Sequence, residues 1–292
     1  MAISAALVKE LRERTRAGMM ECKKALEATQ GDIEAAVGIL RASGQAKASK
    51  RASKVVSEGT IVVRLDDRQQ NACMIEVNCE TDFVGRSEQF LDFARNVAAC
   101  ALQSKVVSVD ELLQLTMPGN GQSIDQARQE LIAKVGENVQ IRRMKLMHSD
   151  GLIGSYIHGS RIGVLVAINR QEAELARDIA MHVAATNPLA IDEAQVPQDV
   201  ISREREIYLA QSKESGKPEN IIEKMVSGRV AKFMKEVCLV DQPFIKDTEK
   251  TVGALLKAHQ AQVIDFARFE VGEGIEKQTQ DFAEEVRSQL GK

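Results

Sequence analysis

Three short stretches at the start of the chain place apolar residues at helical spacing. Ser4 stands where it can cap a helix with Leu7, Val8 and Leu11 on one face, and Gly18 interrupts before a second pattern through Met20, Cys22 and Leu26. Asp32 precedes Ile33, Ala36, Val37 and Leu40 at i, i+3, i+4 and i+7, a third helix that Gly44 is expected to stop. A bundle this small has a thin core, which suits a docking module better than a catalytic body. The period then changes from helical to alternating. Thr60 to Leu65 and Ala72 to Val77, joined by a polar turn at 66–70, predict a β-hairpin. Ser87, Phe90, Leu91, Ala94, Val97, Ala98 and Ala101 predict a long amphipathic helix, and Ile124 to Val135 another after a Pro-Gly-Asn-Gly break at 118–121.

The order of hairpin then helix recurs. Val139 to Met147, Leu152 to Ile157 and Ile162 to Ile168 predict three strands with turns at Asp150-Gly151 and His158-Gly159, followed by a helix from Glu172 to Ala185. Two such units predict an α+β chain with a duplicated core of small antiparallel sheets. Val200 to Lys213 and Glu219 to Val237, separated by a Gly/Pro break at 215–218, predict an antiparallel helical hairpin. A helix from Val252 to His259, a strand from Val263 to Val271 returning to the core sheet, and a terminal helix from Asp281 to Leu290 complete the pattern.

Composition narrows what such a fold can do. The chain has 292 residues, 44% hydrophobic and 28% charged, enough for two or more folded domains. Only 3% are aromatic, with no Trp, so base-stacking or sugar-binding platforms lack material and any exposed Phe needs a reason. The 39 basic and 42 acidic residues give a net charge of -3, which argues against an electrostatic nucleic-acid or membrane binder as a whole. Residues 1–56 carry 11 basic and 6 acidic side chains, so a mildly basic end precedes an acidic body. Five of those bases, Arg41, Lys47, Lys50, Arg51 and Lys54, lie in an Ala/Ser/Gly-rich run without an acid, readable as a solvated tether between domains or as an RNA patch. Cys22, Cys73, Cys79, Cys100 and Cys238 form no CxxC pair and read as reduced, buried thiols of a cytoplasmic protein. No apolar run approaches the ~20 residues of a membrane helix, and Met1 to Leu11 lacks the features of a secretory or transit signal, so the mature chain is expected to start there.

Signs of chemistry are missing from the sequence. It contains no GxSxG, HExxH, phosphate loop or dinucleotide fingerprint, and His148, His158, His182 and His259 are too dispersed for an obvious metal cluster. No cofactor, no metal and no enzyme activity are expected. Cys79 has no basic neighbour to stabilise a thiolate. What stands out is Thr81-Asp82-Phe83-Val84, an acid beside a bulky aromatic between a strand end and a helix start. In one reading Asp82 or Ser87 caps the helix and Phe83 staples to its first turn. In the other, Phe83 leads a probe into a partner's crevice with Asp82 beside it.

Several segments together carry a family resemblance: Leu11-Arg12 to Thr15, Gly18-Met19-Met20 to Lys23-Lys24-Ala25-Leu26, Glu76-Val77-Asn78-Cys79-Glu80-Thr81-Asp82-Phe83-Val84, Gly154-Ser155-Tyr156-Ile157-His158-Gly159, His182-Val183-Ala184-Ala185, and Phe269-Glu270-Val271-Gly272-Glu273-Gly274-Ile275. From end to end the chain resembles bacterial translation elongation factor Ts, a family of guanine-nucleotide exchange factors for elongation factor Tu. The resemblance implies a three-helix, ubiquitin-associated-like docking domain and basic linker over 1–54, core subdomains over 55–138 and over 139–186 plus 238–271, an inserted helical hairpin over 187–237 and a C-terminal helical module over 272–292. It implies that Arg12, Met19, Met20 and His158 contact the partner, and that Thr81, Asp82, Phe83 and Val84 dislocate the partner's Mg²⁺. Adjacent Met19 and Met20 cannot both point inward from one helix, so one is expected to face outward. The implied partner is elongation factor Tu, with no membrane, no nucleic acid and no nucleotide bound by the chain itself; a homodimer through the helical hairpin stays open. Arg16 and Gly85 depart from the family pattern, Arg16 adding surface charge and Gly85 expected to loosen the loop after Val84.

Overall fold

The computed structural model describes residues 3–15, 17–119, 121–214 and 218–276, with the backbone alone at 45–50. The chain is mixed α+β and divides into two compact units, Met1–Val62 with Ile75–Lys145 and Glu270–Lys292, and Val63–Met74 with Leu146–Phe269. The helix expected at Asp281 to Leu290 lies outside the described residues, as do Arg16, Asn120 and 215–217. Among the described residues no helix is long and apolar enough to cross a membrane.

The first unit opens with three helices. Ser4 Oγ accepts the Leu7 N–H at 3.3 Å and starts α1 (Ala5–Thr15). After Gly18, α2 (Met19–Ala28) turns Cys22, Ala25 and Leu26 inward. They meet Val8 and Leu11 of α1 and Ala36 of α3 (Ile33–Arg51) in a small shared core. Asp32 caps α3 through the Ala35 N–H at 3.0 Å. Gly44 does not stop this helix, and most of the run read as a tether or an RNA patch is helical to Arg51. Ala and Lys favour helix there, and Gly44 sits where α3 packs on α7 (Ile124–Val135), so close that a Cβ would stand 3.2 Å from the Ala133 Cβ. The glycine is a contact point between helices.

Strands β1 (Glu58–Leu65) and β2 (Asn71–Cys79) form the expected hairpin. The strand expected to open the second repeat, β3 (Val139–His148), instead pairs with β2, giving the order β1-β2-β3. The short helix α4 (Asp82–Gly85) follows β2, and α5 (Glu88–Ser104) buries Phe90, Phe93, Ala94, Val97, Ala98 and Ala101. Ser108 caps α6 (Val109–Gln114), which the apolar pattern is too short to reveal. Ser123 and Gln126 form a capping box on α7, and Gly136 ends it in the left-handed conformation.

In the second unit β4 (Leu152–His158) and β5 (Ile162–Ile168) pair antiparallel in the register Leu152 with Ile168 and His158 with Ile162. The late strand β8 (Val263–Glu270) returns beside β5, as the alternation at Val263 to Val271 predicts. Helix α8 (Ala173–Thr186) lies flush on β4, because Gly154 has no Cβ; one added there would be 2.4 Å from the Ala176 backbone. Leu152, Val164, Val166 and Ile168 pack with Ala176, Ile179 and Val183 in the core beneath it. Helices α9 (Gln198–Lys213) and α10 (Glu219–Val237) pack together, Ile201 near Met234 at one end and Gln211 bonded to Arg229 toward the other, so they run antiparallel. The two-stranded β6 (Pro243–Phe244) and β7 (Asp247–Thr251) and helix α11 (Val252–Ala258) lead into β8.

Candidate functional site

Where β2 ends, the chain turns sharply into α4 around Thr81, and every polar group of that residue is engaged. Its N–H donates to Glu137 Oε2 at 3.0 Å and its hydroxyl to Glu137 Oε1 at 2.7 Å. The same hydroxyl oxygen caps α4 by accepting the Val84 N–H at 3.5 Å. Its carbonyl accepts the Cys79 thiol at 3.1 Å and the Gly85 N–H at 3.2 Å. Burial pushes the Cys79 thiol up to about 12, helped by the charges of Glu137 and Glu58, so this cysteine is a neutral donor and no nucleophile. Thr81 thus caps α4, while Ser87, one of the two caps expected for the long helix, stands at the N-cap position of α5 without a side-chain bond to that helix's backbone. The Ser87 hydroxyl instead donates to the Val84 carbonyl at 2.8 Å.

Glu80 mirrors Glu137. Its carboxylate accepts the Asn138 N–H at 2.6 Å and pairs with Arg51, while the buried Asn138 amide donates to the carbonyls of Ala52 and Lys54. Two dipeptides, 80–81 and 137–138, therefore cap each other's backbone reciprocally. Sequence reading missed Glu80, Glu137 and Asn138 as parts of this site; the only local sign is a polar run between a helix-ending glycine and an apolar strand.

On this platform Phe83 is 84% exposed, which removes the staple reading. A ring so exposed contributes little to the fold, and it stands out in a chain short of aromatics. Beside it Asp82 forms an exposed pair with Arg86 at 3.0 Å, and Val84 is half-buried. Gly85 is buried and closes a hydrogen-bonded helical turn, so the segment after Val84 is ordered where a loose loop was expected.

Deeper in the same unit Glu76 of β2 is completely buried and accepts the Gly272 N–H at 2.8 Å, Asn78 Nδ2 at 3.0 Å, Arg142 at 3.1 Å and Arg143 Nε at 2.6 Å. Burial alone would raise its carboxyl, but these hydrogen bonds and the Arg143 charge hold it below the usual value. Arg142 also donates to the Glu273 carbonyl and Arg143 to the Glu270 carbonyl, so the 270–273 turn is pinned to β2 and β3.

Of the other sequence candidates, Arg12 lies exposed on α1. Met19 and Met20 are both outward on α2, 56% and 63% exposed, where one was expected. In the second unit His158 is exposed as the last residue of β4, its ring 6.3 Å from that of Tyr156 and its Nδ1 3.3 Å from the Tyr156 hydroxyl. Gly159 and Ser160 follow at positive φ in the turn to Arg161. Among the described residues no His/Cys/Asp/Glu group could hold a metal ion. The turn at 81–84 thus holds an exposed apolar side chain on a backbone anchored at Thr81.

A profile of the family described as elongation factor TS matches residues 80–273, more than half of the chain. The chain is 54% identical over 291 residues to elongation factor Ts of Methylococcus capsulatus, covering 99% of each sequence. It is 54% identical over 288 residues to that of Legionella pneumophila (strain Lens) and 51% identical over 289 to that of Coxiella burnetii (strain Dugway 5J108-111), in each case covering 99% of this chain and 98% of the relative.

Proposed function

This chain belongs to the elongation factor Ts family, and on that premise we propose that it is a guanine-nucleotide exchange factor. It binds elongation factor Tu carrying GDP, disturbs the Mg²⁺ and phosphate site and promotes GDP release, so that GTP can bind during translation elongation. The observation that carries the reading is Phe83, almost fully exposed on a turn anchored at Thr81, whose N–H and hydroxyl both donate to Glu137. Phe83 enters between elements of the GTPase domain and Asp82 exchanges its exposed partner Arg86 for polar groups of Tu. Val84 and Thr81 support the entry from behind.

No covalent step is involved. An exchange factor works by binding the nucleotide-free partner better than the nucleotide-bound one, and GDP is weakened by the same factor. A 10⁴-fold weakening corresponds to about 5.5 kcal/mol of differential binding. One buried Phe contributes about 1.5–3 kcal/mol, so the wedge needs further contacts. Arg12, Met19 and Met20 on the N-terminal helices and His158 on the β4–β5 turn are the docking residues that supply them. The adjacent exposed methionines suit this role, since their flexible thioethers adapt to a partner surface.

Phe83→Ala tests the reading. Stopped-flow release of labelled GDP from Tu should slow by about thirtyfold, equivalent to about 2 kcal/mol, while the circular dichroism melt stays unchanged. An unchanged release rate would sink the proposal.

A further inference from the structure

Phe83 is presented by a turn of which only one residue, Thr81, is held on all sides, and the clamp comes from a residue 56 positions along the chain. We propose that Glu137 is a positioning residue for nucleotide exchange: its carboxylate fixes the Thr81 backbone and thereby the direction in which Phe83 is presented. The inference rests on the reading of 81–84 as the wedge and assigns a role to a residue outside it, which acts through Thr81.

Glu137 is half-buried, and both its oxygens are directed at Thr81, Oε2 to the N–H and Oε1 to the hydroxyl. With its hydroxyl hydrogen committed to Glu137, the Thr81 oxygen offers a lone pair to the Val84 N–H and closes α4. Phe83 lies inside that single turn. Its backbone direction is therefore set by a bond pair that originates between α7 and β3. The Glu80 carboxylate returns the bond to Asn138, which keeps Glu137 itself in place. Without the clamp, a four-residue helix has little intrinsic stability. The turn would then sample several directions, and ordering it would be charged to formation of the exchange complex. Glu137 acts before the partner arrives, by preorganisation.

The chemistry of the pair makes the test specific. In Glu137→Gln the remaining oxygen still accepts the Thr81 N–H, and the new amide donates to the Thr81 hydroxyl oxygen, so the clamp survives without the charge. In Glu137→Ala both bonds go. Labelled-GDP release from Tu is followed against concentration of the full chain, together with a circular dichroism melt. Glu137→Ala should lower the maximal release rate about tenfold, the equivalent of two lost hydrogen bonds, while the half-saturating concentration moves less than about twofold. Glu137→Gln should retain the rate within about threefold. Because Glu137 acts through Phe83, adding Glu137→Ala to Phe83→Ala should slow release by less than about twofold more.

An unchanged maximal rate in Glu137→Ala overturns the inference. So does a tenfold loss that persists in the Phe83→Ala background, which would mean a general effect on the fold. If Glu137→Ala does not fold, Thr81→Val removes the hydroxyl bond from the other side and must itself lower the maximal rate; a normal rate there overturns the inference equally. Failure of the exchange reading looks different: a wild-type chain that does not accelerate GDP release, or Phe83→Ala as fast as wild type, removes the wedge and this inference with it. Phe83→Ala slow with Glu137→Ala normal removes this inference alone.

Discussion

Each compact unit fully buries a side chain able to carry charge near neutral pH, and the two do so in opposite states. In the first, Glu76 is held as a carboxylate among Arg142, Arg143, Asn78 and the Gly272 N–H. In the second, His182 of α8 is held neutral. Its Nδ1 accepts the Ile245 N–H at 3.3 Å, so the proton sits on Nε2 and is given to Gln242 Oε1 at 2.9 Å; the Gln242 amide donates in turn to the Glu236 carbonyl, which fixes its orientation. Both groups do the same structural job. Glu76 pins the turn that follows β8 onto the first sheet, and His182 pins the 242–245 segment onto α8. A buried charge needs several donors and its own counter-ions, whereas a buried neutral ring needs only one donor and one acceptor. The first arrangement is costly to break and the second is sensitive to acid.

The larger break is at the charged centre. Glu76→Ala takes the shared carboxylate away from Arg142 and Arg143, of which Arg143 keeps Glu273 at 3.0 Å. Because Arg142 and Arg143 keep about a quarter of their side-chain surface in water, the cost falls at the low end of the range for a broken buried pair, about 3 kcal/mol. Urea unfolding should register that loss, and amides of 270–274 should lose protection from hydrogen exchange first. A cost below about 1 kcal/mol would mean that the network is incidental to closing the unit.

Acid separates the two centres by order of failure. Burial lowers the His182 pKa from its usual 6.5, against the raising effect of Gln242. The unfolded chain then takes up a proton that the folded one refuses, so this contribution is full above 6.5 and is lost as the pH falls below it. Glu76 also has a lowered pKa, and its contribution is full above the usual 4.5 and is lost only as the pH falls further. Amide exchange of α8 should therefore quicken as the pH falls below 6.5, by up to about 1.4 kcal/mol of protection per pH unit, while β2 and β3 hold down to the usual 4.5 of Glu76. The reverse order would contradict the charge states assigned to both sites.

The sequence sets His182 apart from any metal cluster but marks neither it nor Glu76 as a buried centre, and the reason is distance along the chain. Local period marks both hairpins, α5, α7, α8, α9 and α10, because one face of each packs on a core. It does not mark what two distant segments do to each other. The extension of α3 through Gly44 depends on a close approach to Ala133, and the place of β3 beside β2 depends on tertiary pairing. At the candidate site, Asp82-Phe83 stands out as a motif, but whether Phe83 staples inward or faces out is decided by Glu137 and Thr81, whose bond no local pattern contains. The outward Met20 breaks the helical pattern in which it was counted; Cys22, Ala25 and Leu26 alone fill that face of α2.

The smallest effect should come from the exposed counterpart of these buried charges, the pair Asp82–Arg86 at 3.0 Å. It has ideal helical spacing, yet the Arg86 side chain is 82% exposed and Asp82 47%, so water screens the attraction and each chain gives up entropy to make it. Arg86→Ala should change the unfolding free energy by less than about 0.5 kcal/mol, which a urea titration beside wild type can resolve. The weakness of the pair suits the role proposed for Asp82, because a carboxylate that loses little on leaving Arg86 can turn to groups on Tu at little cost. GDP release stimulated by Arg86→Ala should accordingly stay within about twofold of wild type. A large loss of stability would place this surface pair with Glu76 among the charges that close the fold, and would leave Asp82 too firmly held to change partners.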